Sequence, residues 1–312
     1  MADTIKSVVA VINGESISLT YNSASGLYEA SGVAPQASSF NLNGGYYPVT
    51  VTATYMTDES TTVNDKTTGT VGQGCRFVVR ERYIPTVNIT FPTAGQYITS
   101  TGAQRLEMEL RDNTVQSAGY SGIDISSLNI TVGGREIPHE DLITTTVAGG
   151  YDITYTPTEP LPDGAYTILA SVSDNDGNTS AVTETSFVID TAPPELSVIA
   201  PIEALATSNS AILVKGFTSD ATGLNVAVAI AVDGTVVGNP TVASDGSFEY
   251  TVNLTNEGDR VITITATDSS GKTSIVTRNI YYSTAVPTIT SVELVPNPAD
   301  GGTTYTIRVD VS

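Results

Sequence analysis

The feature that most constrains this chain is an internal repeat. The stretch "DGAYTILASVSDNDGNTSAVTETSFVID" from Asp163 aligns with "EGDRVITITATDSSGKTSIVTRNIYY" from Glu257. Asp174 meets Asp268, 94 residues on, Gly177 meets Gly271, and Thr179-Ser180 meets Thr273-Ser274. Each copy alternates apolar residues on one face: Ile168, Ala170 and Val172 in one, Ile262, Ile264 and Ala266 in the other. A turn of Asp, Gly and Asn or Lys follows, then a second alternating run. Period two on both sides of such a turn encodes a β-hairpin. A unit that recurs whole implies tandem modules.

A looser third copy is "GGYYPVTVTATYMTDES". Aligning Gly45 with Gly164 puts Tyr47, Val49, Val51 and Ala53 on the inward face. Here the tight turn is replaced by a polar loop, residues 57–74, ahead of an expected strand "CRFVVRERY". Upstream, each copy carries a two-residue turn and then a glycine with an aromatic: Asn13-Gly14 with Gly26-Leu27-Tyr28, Gly133-Gly134 with Gly150-Tyr151, and Asp233-Gly234 with Gly246-Ser247-Phe248. The spacings from second turn residue to later glycine are 12, 16 and 12. Proline marks the junctions "RYIPTVNITFP", "DTAPPELSVIAP" and "STAVPTITSVELVP", where a residue that cannot donate to a ladder suits a strand start. The expected segments are 1–83, 84–191, 192–283 and 284–312.

Thr, Ser, Val and Ile are abundant, with 27 Gly and 15 Pro, and no long amphipathic helix is legible. A parallel α/β sheet would need such helices. The expected fold is all-β: three tandem immunoglobulin-like β-sandwiches with a C-terminal β-hairpin segment. The pattern "DGAYTILASVSDNDGNTS…FVIDTAPPELSVIAP" resembles the bacterial Ig-like modules strung along surface adhesins and phage virion proteins. The resemblance covers residues 85–283 well and 1–82 loosely. The Ig-type cysteine pair and buried Trp are absent, since the chain has one Cys and no Trp. Tyr166 and Tyr47 stand where Ig domains carry a corner tyrosine, whereas the third copy has Arg260, which puts its corner in doubt.

The modules are cut out of phase. In the third, "ELSVIAP", "AILVKGFTSD" and "LNVAVAIAVDG" read as strands A, B and C. The first begins at "IKSVVAVING", which matches C, while the tail "TITSVELVP" and "TTYTIRVDVS" matches A and B. A sheet lacking strands exposes unpaired backbone and core, and a strand from another chain can supply them. Three modules in line would put the ends on the order of 100 Å apart. One expectation is therefore a homo-oligomer joined through strands 287–312. The alternatives are a first module closed by its own loops, a tail paired with a different protein or opening a further domain, and a hairpin folded back on the third module.

The formal charge of −20 argues against nucleic acid and anionic membrane surfaces. No apolar run is long enough to insert into a membrane, and "MADTIKSVVAVING" lacks signal-peptide features. The lone Cys75 reads as a small buried residue and the lone His139 as an exposed loop residue. No P-loop, GxSxG, HExxH or carboxylate-pair cleft is legible, so no enzyme and no cofactor are expected. "DNDGN" departs from an EF-hand, with Gly177 at position 4 and Thr185 at position 12, and reads first as a hairpin turn. A junction calcium on Asp174, Asp176 and Asp190 is the metal alternative. Lys215 and Asn279, with Glu249 between, could form the isopeptide crosslink of some Gram-positive modules. Tyr46-Tyr47 and Tyr281-Tyr282 could offer a binding surface, although alternation sends one of each pair inward. The expected role is a non-enzymatic phage virion component, a tail fibre, tail-associated protein or head decoration, that meets other virion or surface proteins. A "V-x-L-x-P-N-P" segment resembling those of phage tail proteins points the same way. The alternatives are an extracellular bacterial cell-surface adhesin fragment and an accessory carbohydrate-binding module.

Overall fold

The computed structural model describes residues 5–64, 75–112 and 119–312. They fall into two compact units, Met1–Ile189 and Asp190–Ser312. The first module supplies β1 (Ile5–Ile12), β2 (Glu15–Asn22), β3 (Leu27–Glu29), β4 (Tyr47–Tyr55), β5 (Ser60–Val63) and β6 (Arg76–Phe77). These form one sheet in the order β3-β2-β1-β4-β5, with β6 also on β4. Ala10 pairs with Ile17 on one side and Val51 on the other, and Val8 with Leu19 and Ala53, so these residues share a face. No second sheet covers that face among the described residues. Tyr47 is buried, but Val49, Val51 and Ala53 are only half-buried. The polar loop expected at 57–74 carries β5, paired with β4, and its remainder lies outside the described residues from 65. The strand expected at 75–83 shrinks to β6.

The second module is complete. Its strands are β7 (Thr86–Phe91), β8 (Tyr97–Ile98), β9 (Leu106–Arg111), β10 (Ile123–Val132), β11 (Arg135–Glu136), β12 (Leu142–Val147), β13 (Gly150–Tyr155), β14 (Gly164–Asp174) and β15 (Thr183–Ile189). One sheet runs β11-β10-β14-β15-β8 and the other β12-β13-β9-β7. Leu106, Met108, Leu110 and Ile153 from one meet Ile130, Ile168, Val172 and Ile189 from the other in a closed core. Burial of such side chains contributes ~1.5–3 kcal/mol each.

In the second unit the strands are β16 (Glu195–Ala200), β17 (Leu205–Thr207), β18 (Ala211–Ser219), β19 (Ala227–Val232), β20 (Thr235–Gly238), β21 (Ser247–Asn253), β22 (Gly258–Thr267) and β23 (Thr273–Tyr282). They form sheets β16-β18-β21 and β17-β23-β22-β19-β20, again around one core. β24 (Ile289–Val295) and β25 (Thr306–Val311) make a separate two-stranded sheet.

The landmark glycines have a common cause. A Cβ on Gly150 would stand 1.9 Å from the Leu110 carbonyl oxygen, and one on Gly246, at φ +83°, 2.4 Å from that of Thr218. Both glycines admit the close approach of a B strand. β13 and β21 pair with β9 and β18 there, whereas the corresponding β3 lies along β2 instead.

The corner expectation resolves at Arg260. Tyr166 Oη donates to the Pro162 carbonyl at 2.9 Å, and Arg260 Nε donates to the Asn256 carbonyl at 3.0 Å, both four residues upstream. Arg260 Nη2 adds a bond to the Glu257 carbonyl at 2.6 Å, so a guanidinium fills the role the phenol has in the second module. Burial, helped by the Asp163 carboxylate, holds the Tyr166 hydroxyl above the usual phenol range, so it remains a donor. Tyr166→Phe should lose about 1 kcal/mol in urea unfolding, the net worth of one such bond. An unchanged midpoint would show that the corner bond contributes nothing.

Candidate metal centres

Two triads of carboxylates gather at matching places. Glu81 and Asp190 each stand five residues ahead of their A strands, β7 and β16. Asp112 and Asp220 directly follow the B strands, β9 and β18. Asp174 ends β14, and Asp268 directly follows β22. In each triad the three residues offer oxygens within 4.8 Å of one another.

In the first triad all three residues are buried. Asp174 is pinned by its own hairpin turn: Oδ1 accepts the Asp176 and Asn178 N–H groups at 3.0 and 2.8 Å, and Oδ2 accepts Asn178 Nδ2 at 2.7 Å. Asp112 Oδ2 accepts the Gly122 N–H at 2.7 Å. The Glu81 main chain is held by the same turn, donating to Asp176 Oδ2 at 2.9 Å and accepting from Asn178 Nδ2 at 3.2 Å. Its side-chain Oε1 accepts the Ser121 N–H, while Oε2 is buried without a hydrogen-bond partner. Burial pushes the Glu81 carboxyl above its ordinary 4.5, with the Asp112 and Asp174 charges adding and the Ser121 bonds opposing. Unpaired buried carboxylate is costly, and a divalent cation removes the cost. Calcium takes oxygen ligands at 2.3–2.6 Å, so ligand oxygens lie up to ~5 Å apart, which this set fits.

The second triad is partly neutralised from within. Lys272 Nζ lies 3.4 Å from Asp190 Oδ1 and also donates to the Asp190 carbonyl. Asp268 Oδ1 accepts three bonds, from Ser270 N, Ser270 Oγ and Lys272 N. Asp190 Oδ2 and Asp268 Oδ2 are buried without partners. Lys272 aligns with Asn178, so the same position carries a charge in one module and an amide in the other.

The grouping of Asp174, Asp176 and Asp190 expected from sequence is therefore divided. Asp174 belongs to the first triad and Asp190 to the second. Asp176 joins neither and serves as an acceptor for the Glu81 main chain. Glu81, Asp112, Asp220 and Asp268 were not singled out as ligands, although their constant offsets from strand ends are visible once strands are placed. Lys215, Glu249 and Asn279 are all exposed. Lys215 faces Glu249 across β18–β21, while Asn279 donates to Glu203 Oε1 at 2.6 Å, so the crosslink geometry is not formed. Cys75 is buried and free. His139 is exposed, with Nε2 2.6 Å from the Leu128 carbonyl. Tyr47 is buried and Tyr281 exposed.

The Glu81 shift sets a pH dependence. A folded pKa above 4.5 means the folded chain holds this proton more tightly than the unfolded one. The resulting stabilisation is complete below pH 4.5 and is lost as pH rises through the raised value. With chelator present, Glu81→Gln should flatten that falling limb in a series of urea midpoints against pH. Equal slopes in both proteins would rule out Glu81 as its source.

Residues 118–191 match the bacterial Ig-like domain family, and residues 194–283 match glucodextranase, domain B. Both matched modules are Ig-like. No curated protein sequence matches the chain. Among solved structures, a tetra-tandem repeat in the extending region of a large adhesion protein is 17% identical. That likeness covers 99% of this chain and 80% of the other, at a TM-score of 0.39. Fibronectin(III)-like modules of Clostridium thermocellum CbhA are 20% identical over 63% of this chain and 94% of theirs, at a TM-score of 0.32. Drosophila OTK extracellular domains 3–5 are 11% identical over 90% and 86%, at 0.35. No helix among the described residues is long and apolar enough to cross a membrane.

Proposed function

We propose that this chain is a non-catalytic spacer of Ig-like modules that presents a binding surface from a phage virion. The observation that carries the spacer reading is the carboxylate triad repeated at the same three places in two modules. Each triad brings the segment leading into a sandwich together with the end of its B strand and the β14–β15 or β22–β23 turn. Rigid attachment of that segment is what a spacer needs and what an isolated binding domain does not. Glu81, Asp112 and Asp174 would hold calcium, which supplies the missing positive charge. The virion reading is supported by the Val292–Pro298 segment, which resembles those of phage tail proteins, and by the −20 charge, which favours solubility at high local density. Its partners would be other virion proteins.

The match of residues 194–283 to glucodextranase, domain B favours a second reading, an accessory module of a carbohydrate-active enzyme. Immunogold labelling of particles and cells from the producing culture separates these. Gold on virions is expected. Gold on cell envelopes alone would replace the virion with a surface adhesin, and glucan binding without either would favour the second reading.

A further inference from the structure

An unpaired sheet edge invites a further strand, and nearly every edge of this chain is blunted against it. β3, β5, β6, β8, β11, β17 and β20 have four residues or fewer. β7 and β16 shift register just ahead of Pro92 and Pro201. β21 carries Glu249, and the β24–β25 hairpin carries Glu293, Arg308 and Asp310. β12 has none of these protections. Its residues, Leu142–Val147, include no charge and no proline. They pair with β13 from Leu142–Tyr155 to Val147–Gly150 without a shift. Among the described residues β12 ends the sheet β12-β13-β9-β7 and has no strand on its outer side.

The register says which backbone groups that edge offers. The Asp112 N–H donates to the Gly149 carbonyl at 2.8 Å, so odd-numbered residues from Gly149 onward turn their backbone groups to β9. Gly150, Asp152 and Thr154 then bond to Val147, Thr145 and Ile143, their partners on β12. Leu142, Thr144 and Thr146 are left with their groups directed outward. The Leu142 N–H turns back to the His139 carbonyl, so the edge presents two N–H groups and three carbonyls. Leu142 packs against the core, while Ile143 on the solvent face is 65% exposed. The one charge opposite this strand is answered from within the sheet. Asp152 pairs with Thr145 and lies 2.6 Å from Arg111 Nη2.

We propose that the β12 edges of two copies pair antiparallel about a two-fold axis at Thr144, joining two four-stranded sheets into one. This goes beyond the spacer reading and depends on neither the virion nor calcium. A second copy is the occupant because the edge is complementary to itself. With Thr144 opposite Thr144, Leu142 falls opposite Thr146, so outward groups meet outward groups. The two Thr144 residues exchange N–H and carbonyl, and each Thr146 N–H reaches the Leu142 carbonyl of the other copy. Ile143 stands opposite Thr145 and diagonal to the other Ile143, so the exposed apolar side chains cover one another. A chain of formal charge −20 repels its own copy, and here the repulsion is weak. The nearest unpaired acid on the strand's flank is Asp141, and the two Asp141 residues would lie six positions apart. That is ~20 Å, against a Debye length of ~8 Å at physiological salt. A contact of like surfaces about a two-fold closes at two copies.

The test uses the intact chain and sedimentation across a dilution series. A strand-edge contact is small, so mass is expected to rise only at high concentration, toward twice that of the chain and no further. Thr144→Pro removes an outward N–H that β13 does not use and should weaken association at least ~10-fold, since both central bonds are lost. Ile143→Lys brings two ammonium groups together across the axis and should weaken it similarly. Ile143 is exposed, so this second variant keeps the fold, and an unchanged urea midpoint is its control. Crosslinking reads the register. Thr144→Cys should form a symmetric disulfide, because Cα atoms of such a pair lie ~5.5 Å apart. Thr146→Cys should not, because its two copies are four positions apart, ~14 Å. A monomeric mass up to about 1 mM would overturn the proposal. So would association undiminished in Ile143→Lys, growth beyond two copies that both variants leave intact, or equal crosslinking at 144 and 146.

Discussion

Truncation of Ile168 to alanine is expected to cost ~3–4 kcal/mol, while Val49→Ala at the matching position of the first module should cost less than ~1 kcal/mol. Both residues occupy the same inward place on equivalent strands, β14 and β4. Ile168 is fully buried in a core closed by a second sheet, so its loss leaves a cavity that the surrounding side chains cannot fill. Val49 is half-buried on a face without a covering sheet, and solvent fills the space it leaves. Urea unfolding of each variant beside the unaltered chain reads the two losses. Equal losses would mean that the first module is closed in solution.

Calcium should raise the unfolding temperature of the first unit by ~5–10 °C at a hundredfold excess over its dissociation constant, from ~2.7 kcal/mol of linkage spread over a unit of this size. Asp112→Asn should abolish the rise, and chelator should reverse it. The second unit should respond weakly, because Lys272 already places a positive charge 3.4 Å from Asp190. Lys272→Asn copies the arrangement at Asn178 and should bring calcium dependence to the second unit. Differential scanning calorimetry reads both transitions in one trace. A first transition indifferent to calcium would remove the metal from the first triad.

Much of the fold was legible because period two reports burial directly. Ile168, Ala170, Val172, Ile262, Ile264 and Ala266 lie in the cores to which alternation assigned them. The strand assignments 195–201 and 211–220 fall within a residue or so of β16 and β18. Reading failed where alternation was not the deciding term. "CRFVVRERY" alternates well enough, but beyond Phe77 the Val79 and Glu81 backbone bonds go to Ser39 and the Asp176 side chain rather than to a strand ladder. The full carboxylate triads were not legible for a related reason. Asp174 and Asp176 are close in sequence, yet the turn points them to different tasks. Glu81 and Asp112 meet Asp174 only where the two sheets of the sandwich pack together, and no local spacing encodes that. Arg260 was set aside because it is not a tyrosine, although what the corner needs is a donor of the right length.

That corner carries a further consequence. The phenol of Tyr166 gives the second module a neutral fastening with a single proton. Arg260 fastens the third with two carbonyls and, through Nη1, with Asp233 at 3.2 Å, whose Oδ1 also accepts the Val261 N–H at 2.9 Å. The third fastening therefore reaches sideways to the turn between β19 and β20 and depends partly on an ion pair that brine attenuates. One latch should hold alike in fresh and salt water, and the other should slacken as the water grows saltier.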